Sequence, residues 1–301
     1  MLSIIRQIKF WPRGLLAICA SLFAVYLFFS PANVPLYNLV MFPCPDPRTP
    51  AMTEQFAKLS AYGAKERDVE FRSANGRLIR GWFIELPNTR RVFLVSHGKG
   101  RNIYGKLTHA PLLLLCGGSV LMYDYQGFGA SEGKVSIDGA CDDGVAAYDF
   151  LIDHEHRKPE DIIAFGESFG CGVSSHLCAK RRLGGVILQS GFTSLMRAGR
   201  DKLPWLRLYP DWSFPKPLML DNVSVFRQPH PPLLIIHGKR DFNLLYANAT
   251  DIYSLAIEPK SLYTVPDGGH CCFGSVDQFV STVKTFLRQN QQELCKPGKK
   301  T

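Results

Sequence analysis

Short apolar runs of strand length alternate with stretches of helix length between residues 66 and 290, and this alternation limits the fold more than any other feature. The runs with strand character are 68–72, 77–86, 91–96, 119–123, 161–165, 185–189, 232–237 and 261–265. Asn75-Gly76, a pair typical of tight hairpins, joins the first two. Helical patterns cover 138–154, 169–182, 244–256 and 276–291. A hairpin followed by alternating strands and helices predicts an α/β fold, with a mostly parallel sheet and helices on both faces.

Residues 192–230 interrupt this alternation. Aromatic side chains and prolines are mixed there without a regular period: Trp205, Tyr209, Trp212 and Phe214 lie among Pro204, Pro210, Pro215 and Pro217. We interpret this segment as a small lid insertion within a single domain that spans residues 66–290.

The N-terminus carries a separate signal. Residues 15–29 form an apolar run in which Ser21 is the only polar residue. Arg6, Lys9 and Arg13 precede the run, and no Lys or Arg follows it before residue 48. This pattern predicts that residues 1–30 form a signal anchor, a single transmembrane helix that places the domain on the non-cytoplasmic side, in a periplasm or lumen. The alternative is a cleaved signal peptide and a secreted protein.

The net charge of +9 is concentrated at the two ends of the chain. Residues 1–30 carry +3, and a predicted basic tail at 291–301 carries +2. The body has no block rich in Lys and Arg of the kind that follows a phosphate backbone, which argues against nucleic-acid binding. Residues 31–65, with six prolines before residue 51, are predicted to be a proline-rich tether.

The Cys and His residues give no indication of a metal or another cofactor. The nine cysteines include no Cys-x-x-Cys pair, and the chain has no His-Glu-x-x-His motif. His154-Glu155-His156, near the end of a predicted helix, is interpreted as a solvated turn. The sequence therefore predicts neither a cofactor nor a metal site, and it carries no signal of the oligomeric state.

A Gly-x-Ser-x-Gly motif, Gly166–Gly170, directly follows the predicted strand 161–165 and begins a predicted helix. A nucleophile elbow requires this context, because only small residues allow the strand to turn so sharply into the helix. The turn exposes the hydroxyl of Ser168 at a helix N-terminus, where the backbone amide of Phe169 can stabilise an oxyanion. Ser168 is therefore the predicted nucleophile.

A nucleophilic serine needs a base and an acid that orients it, in the order Ser, Asp, His along this type of chain. Asp241 follows the strand 232–237, and His270 follows the strand 261–265. Because catalytic groups gather at the carboxyl ends of the strands in open α/β sheets, we predict that Ser168, Asp241 and His270 form a triad. Asp267 is a rival for the role of the acid.

The second oxyanion donor is expected in the loop that follows the strand 91–96. Our candidate is the backbone amide of Lys99, and we interpret His97 in the same loop as a structural residue that packs it. Glu167, beside the nucleophile, would favour a protonated His270 if its carboxylate faced the site.

Several stretches together resemble a known family. The chain is similar to the membrane-anchored serine hydrolases of the bud-emergence (Bem-like) group, often labelled serine aminopeptidase-like, in the α/β-hydrolase superfamily. The matching stretches are Ser96-His97-Gly98, Asp124–Gly133, Gly166–Gly170, Ser190–Ser194, His237–Asp241 and Pro266–His270. The resemblance implies an α/β-hydrolase fold, the triad Ser168, Asp241 and His270, oxyanion amides from Lys99 and Phe169, and an N-terminal membrane anchor. The chain departs from the family at Gln126 and at Phe242-Asn243, where an Arg and a Val-Pro-like pair are common.

These features predict a membrane-anchored serine hydrolase that cleaves a carboxylic ester or thioester through an acyl-enzyme. The apolar insertion favours an acyl or lipid-like small molecule as the substrate. The alternatives are a serine peptidase that uses the same triad and, from another class, a non-catalytic binding module with a hydrolase fold. Four basic residues of the insertion either bind an anionic group or, in the interpretation that the sequence favours, are solvated: Arg197, Arg200, Lys202 and Arg207.

Overall fold

The structure, a computed structural model, describes residues 2–33, 35–37, 59–100, 102–216 and 220–294, with the backbone alone for 2–13 and 290–294. The described strands are β1 (Lys65–Arg72), β2 (Leu78–Glu85), β3 (Val92–Ser96), β4 (Ser119–Tyr123), β5 (Ile162–Glu167), β6 (Gly185–Gln189), β7 (Leu233–Gly238) and β8 (Lys260–Val265). The described helices are α1 (Leu2–Phe28), α2 (His109–Leu115), α3 (Ile137–Asp153), α4 (Phe169–Lys180), α5 (Leu195–Lys202), α6 (Asn222–Phe226), α7 (Ala247–Leu255) and α8 (Val276–Leu294).

The strands form one sheet in the order β1-β2-β4-β3-β5-β6-β7-β8. The first two form the expected antiparallel hairpin, β2 also pairs with β4 in antiparallel orientation, and every further pair is parallel. This topology confirms the predicted α/β fold with a mostly parallel sheet. Ser96 of β3 lies beside Gly166 of β5, and Gly238 of β7 lies beside Val265 of β8. The loops after these strands therefore leave the sheet along one edge.

Apolar side chains cover both faces of the sheet. Phe71 and Tyr123 belong to the cluster beneath α3 and α4, whereas Phe93 and Phe165 belong to the cluster beneath α2 and α8. Every residue of β3 to β7 is buried. Strands that are covered on both faces need no polar residue at alternate positions, which explains why the sequence shows continuous apolar runs.

Some boundaries differ from the predicted ones. Helix α7 begins at Ala247 rather than at residue 244, because the backbone amides of Asn243 and Leu244 donate to the Asp241 carboxylate in a turn. Helix α8 continues to Leu294, so the first four residues of the predicted basic tail are helical. Strand β1 begins at Lys65, one residue inside the predicted tether. Residues 38–58 of that tether and 295–301 of the tail lie outside the described residues.

Three helices of the domain were not predicted: α2, α5 and the short α6 in the insertion. Helix α2 carries Pro111 and four consecutive leucines, so it shows no amphipathic period that would indicate a helix. Helix α5 lies in the insertion and begins after Ser194, whose hydroxyl accepts from the amide of Arg197 as an N-cap.

The N-terminal helix α1 contains both the basic residues and the apolar run predicted as an anchor. Among the residues that the structure describes, no helix is both long and apolar enough to cross a membrane.

The end of α1 contacts the insertion. The Tyr209 hydroxyl donates to the backbone carbonyl of Tyr26 at 2.5 Å, and the two rings stack with centroids 4.4 Å apart. Tyr37 is buried in a small cluster with Leu206, Tyr209 and Phe214 of the insertion. The insertion therefore packs against the N-terminal segment on one side.

Candidate active site

The turn from β5 into α4 is held by close approaches between backbone atoms. A Cβ atom on Gly166 would lie 2.5 Å from the carbonyl oxygen of Gly170, and a Cβ on Gly170 would lie 1.9 Å from the carbonyl oxygen of Ser96. Real Cβ atoms do not approach other atoms so closely, so both positions require glycine. Ser168 between them has a φ of 53°, in the left-handed region that residues with side chains rarely adopt.

This backbone conformation places Ser168 above the end of the sheet. Its amide donates to the carbonyl oxygen of Gln189 in β6 at 2.9 Å, and its own carbonyl accepts from the amide of Cys171 at 3.0 Å. Both backbone groups are therefore occupied. The half-buried side chain is left to point away from the sheet, and its Oγ lies 3.0 Å from Nε2 of His270.

His270 connects Ser168 to Asp241. Nδ1 of His270 lies 2.8 Å from Oδ2 of Asp241, while Nε2 faces the Ser168 hydroxyl. An ionised carboxylate can only accept a hydrogen bond, so Nδ1 carries the proton and Nε2 of the neutral ring is free to accept one. Residues separated by 73 and 29 positions along the chain thus form one continuous hydrogen-bonded row.

Asp241 is held in its ionised form. Burial alone would raise the pKa of its carboxyl group, but the hydrogen bonds from His237, His270 and the amide of Leu244 outweigh burial and lower the pKa. Oδ1 accepts from the amides of Asn243 and Leu244 at 2.8 and 2.9 Å, which leaves Oδ2 for the imidazole. The carboxylate is therefore fixed in orientation as well as in charge.

The rival acid Asp267 lies elsewhere. Its Oδ1 is 2.8 Å from Nη2 of Arg240, and its side chain is 80% exposed. The structure thus places Asp241, and not Asp267, against His270.

Ser168 and His270 open into a cavity of about 700 Å³. Its apolar wall comes from α4, the loop after β6, the insertion and the turn after β7: Phe169, Phe192, Leu195, Ala198, Leu203 and Leu244. Three lysines also line it, Lys99, Lys106 and Lys202. Within the described part of the chain, no group of three or more His, Cys, Asp or Glu side chains is arranged to hold a metal ion.

The comparisons with known proteins agree with this architecture. A family model described as serine aminopeptidase, S33 (Hydrolase_4) matches residues 87–230. The uncharacterized protein YfhR of Escherichia coli O157:H7 is 32% identical over 211 residues, which cover 67% of this chain and 72% of YfhR. The chain belongs to this family of α/β-hydrolases. The hydrolase is also similar to the alpha/beta hydrolase domain-containing protein 17B of Homo sapiens, with 28% identity over 240 residues, 77% of this chain and 80% of the relative.

Among solved structures, the hydrolase resembles the esterase Pf2001 of Pyrococcus furiosus. The TM-score is 0.64 at 21% identity, and the match covers 76% of the hydrolase and 93% of Pf2001. At this identity the likeness shows the fold alone. The residues matched by the family model contain Ser168 but end before Asp241 and His270, so the placement of those two residues rests on the hydrogen bonds described above.

The loop after β3 approaches the elbow closely. A Cβ on Gly98 would lie 3.3 Å from Cβ of Ser168, and Lys99 and Phe169, whose amides are the predicted oxyanion donors, both line the cavity beside the serine. Phe169 is the first residue of α4, at the positive end of the helix dipole. The backbone of this loop thus lies next to Ser168.

His97 is buried in the same loop, as the sequence predicts for a structural residue. Its Nδ1 lies 2.8 Å from the carbonyl oxygen of Gly98, and its ring centroid is 4.3 Å from that of Tyr125. The Tyr125 hydroxyl donates to the carbonyl of His97 at 2.8 Å. These contacts fasten the loop to the sheet.

Glu167 does not face His270 as a free charge. It is 1% exposed, its Oε1 pairs with Nζ of Lys106, and its Oε2 lies 3.3 Å from Nε2 of His109. Burial alone would raise the pKa of Glu167, but His109 and Lys106 hold it below its ordinary value. The charge of Lys106 therefore offsets the stabilisation of a protonated His270 that was expected from the Glu167 carboxylate. Sequence reasoning missed Lys106 and His109, because no local signal relates them to Glu167.

His237 is a second residue that sequence reasoning missed. It is fully buried at the end of β7, its Nε2 lies 2.8 Å from the carbonyl oxygen of Leu244, and the same atom is 3.3 Å from Oδ2 of Asp241. Because a carbonyl oxygen only accepts, Nε2 carries the hydrogen. Its spacing of four residues from Asp241 in the motif His237–Asp241 was the available signal.

Proposed function

We propose that this hydrolase cleaves carboxylic esters or thioesters, with Ser168 as the nucleophile, His270 as the general base and Asp241 as the acid that orients it. The observation that carries the proposal is the row of hydrogen bonds from Asp241 through His270 to Ser168, at an elbow that opens into a cavity. The row has the order and orientation that acyl transfer needs, with the imidazole between the carboxylate and the hydroxyl.

In the first half of the reaction, Oγ of Ser168 attacks the carbonyl carbon as Nε2 of His270 takes its proton. The tetrahedral oxyanion is stabilised by the amides of Phe169 and Lys99. His270 then gives its proton to the departing alkoxide or thiolate, which leaves an acyl group on Ser168. In the second half, His270 takes a proton from water, the hydroxide attacks the acyl-enzyme, and the proton returns to Ser168 as the acid is released.

The protonated imidazole of both transition states is stabilised by Asp241. Asp241 is 2% exposed and its carboxylate is fixed by two backbone amides, so it needs no reorganisation when the charge on His270 appears. A charge pair at 2.8 Å that is shielded from water is stronger than the same pair at a surface.

The walls of the cavity favour an acyl chain. Six apolar side chains line it, and its volume of about 700 Å³ is in the usual range for small-molecule sites. Pf2001, which shares the fold, is described as an esterase. Together these observations support esters and thioesters of acyl or lipid-like compounds as the substrate class.

An aminopeptidase is a weaker candidate, although the matching family model carries that description. Such an enzyme must bind the free ammonium group of its substrate. Among the described residues, the only carboxylate that lines the cavity is Glu167, which is already paired with Lys106. A binding module is weaker still, because it has no need for three aligned catalytic side chains.

Labelling with a fluorophosphonate probe tests the proposal. We expect the folded protein to be labelled, and Ser168→Ala to abolish the labelling, because the probe reacts only with an activated serine. Ser174→Ala is the matched control: Ser174 lies on the same helix, and its buried hydroxyl has no hydrogen-bond partner in the described part of the chain. The proposal fails if the wild-type protein is not labelled, or if Ser168→Ala still is.

We also propose that the N-terminal segment attaches the hydrolase to a membrane, with the domain on the non-cytoplasmic side. The support is the exposed apolar surface of α1, where Leu16, Leu22 and Phe23 are 72%, 65% and 61% exposed. Burial of such a surface in lipid is favourable. The basic residues that precede it indicate the orientation.

We expect the intact protein in the membrane fraction after a high-salt wash, and its release by detergent. Leu22→Lys combined with Phe23→Lys should shift it to the soluble fraction, whereas Ser254→Lys, on an exposed position of α7, should not. Protease added to sealed membranes of known orientation reports the side on which the domain lies. Recovery of the intact wild-type chain in the soluble fraction contradicts the attachment.

A further inference from the structure

The four basic residues of the insertion fall into two groups. Three of them are paired with carboxylates: Nη1 of Arg197 lies 2.5 Å from Asp251, Nη2 of Arg200 lies 2.8 Å from Asp211, and Nη2 of Arg207 lies 3.4 Å from Asp201. Lys202 differs from the other three. Its Nζ donates at 3.1 Å to the carbonyl of Phe242 and to the side-chain oxygen of Asn243, which are both neutral.

Lys202 also lines the cavity that contains Ser168, whereas the three arginines do not line it. Its position is exposed, at the end of α5. The positive charge at this point of the cavity wall is therefore hydrogen-bonded but not neutralised within the described residues.

Lys99 brings a second positive charge to the same wall. It is half-buried, and no carboxylate pairs with it in the part of the chain that the structure describes. Burial lowers the pKa of Lys99, and the charge of Lys202 lowers it further. Two lysines that repel each other at a partly desolvated wall are stabilised by an anion between them.

The other charged residues of the cavity wall do not neutralise Lys99 and Lys202. Lys106 and Glu167 neutralise each other. Among the described lining residues Glu167 is the only acid, because Asp241 lies behind His270 and is not part of the wall. The cavity thus combines an apolar surface with two uncompensated positive charges.

We propose that this cavity selects substrates in which the scissile ester or thioester carries a negatively charged group, a carboxylate or a phosphate, and that Lys99 and Lys202 bind that group. The inference rests on the proposed hydrolase activity and names its substrate class. The charge can belong to the acyl part or to the leaving group, since both extend into the same cavity from the carbonyl carbon at Ser168.

Paired substrates that differ in one charge test the inference. For the acyl part, the 4-nitrophenyl monoester of glutaric acid is compared with 4-nitrophenyl valerate, a neutral ester of similar length. For the leaving group, S-butyrylthioglycolate is compared with its methyl ester. We expect the wild-type protein to prefer the charged member of at least one pair by about tenfold or more in kcat/KM, mainly through KM. This preference should decrease as NaCl is raised from 0.05 to 0.5 M.

Lys202→Met and Lys99→Met should each lower the ratio of kcat/KM for the charged over the neutral substrate by about tenfold. Lys202→Arg, which keeps the charge, should keep the ratio. Arg207→Met is the matched control: it also removes one positive charge from the insertion, but from a residue paired with Asp201, and should leave the ratio unchanged.

The outcomes separate the two proposals. Hydrolysis of the neutral esters at rates equal to or above those of both charged partners overturns the inference and leaves the hydrolase activity in place. A ratio unaffected by both Lys→Met variants overturns it as well, since the preference then has another origin. Absence of turnover together with absence of fluorophosphonate labelling overturns the proposed function and, with it, the inference.

Discussion

Asp241→Asn should lower kcat for ester hydrolysis by about four orders of magnitude at neutral pH. An asparagine can keep the turn after β7, because its side-chain oxygen still accepts from the amides of Asn243 and Leu244 at the position of Oδ1. Its NH2 group then faces Nδ1 of His270 as a donor. Nδ1 must then accept this hydrogen bond, so the proton of the neutral imidazole moves to Nε2. With Nε2 protonated, the ring can no longer accept the proton of Ser168.

Steady-state hydrolysis of 4-nitrophenyl esters measures this loss, and Asp267→Asn is the matched control. Asp267 lies three residues before His270, but it is exposed and bonded to Arg240, so its replacement should change kcat by less than about twofold. Equal thermal unfolding temperatures for the two variants show that the loss of kcat is not caused by a loss of folded protein. If Asp267→Asn loses most of its kcat while Asp241→Asn keeps normal activity, then Asp241 is not the acid that orients His270.

Gly170→Ala should be among the most damaging single-methyl substitutions in the domain. The new Cβ would lie 1.9 Å from the carbonyl oxygen of Ser96, 2.5 Å from its carbon and 2.9 Å from the carbonyl oxygen of His97. These are backbone atoms of the central strand β3 and the loop after it, so no side-chain rotation relieves the overlap. We expect the free energy of unfolding to fall by more than about 4 kcal/mol, or the protein to be recovered unfolded.

Denaturant unfolding followed by circular dichroism measures the effect. Gly100→Ala is the control, because a Cβ at that position meets no atom within 4 Å, and its unfolding free energy should differ from that of the wild type by less than about 1 kcal/mol. An unfolding midpoint for Gly170→Ala equal to that of the wild type would show that the two segments can separate at little cost.

The sequence predicted those parts of the fold and site that have local signals. The buried strands are continuous apolar runs, Asn75-Gly76 indicates the hairpin, and the motif Gly166–Gly170 lies where a strand becomes a helix. Asp241 and His270 each follow a strand, so the rule that strand ends share one edge of the sheet was enough to bring them together.

The features that were missed depend on contacts between distant residues. Lys106 and Glu167 are 61 positions apart and belong to different elements, so neither predicts the other. The same is true of Arg197 and Asp251, whose pairing explains why that arginine is not available to a ligand. Asp241 itself was predicted as the acid, but the backbone hydrogen bonds that hold its carboxylate, from the amides of Asn243 and Leu244, appear only in the folded turn.

The elbow is fixed mainly by contacts between backbone atoms. Gly166 and Gly170 press against backbone atoms, and the amide and carbonyl of Ser168 are both bonded to other backbone groups. The position of Ser168 is therefore set mainly by backbone contacts, and not by the apolar side chains that the insertion contributes to the cavity wall. Substitutions of the apolar side chains of the insertion should therefore change which acyl compounds fit the cavity without displacing Oγ of Ser168.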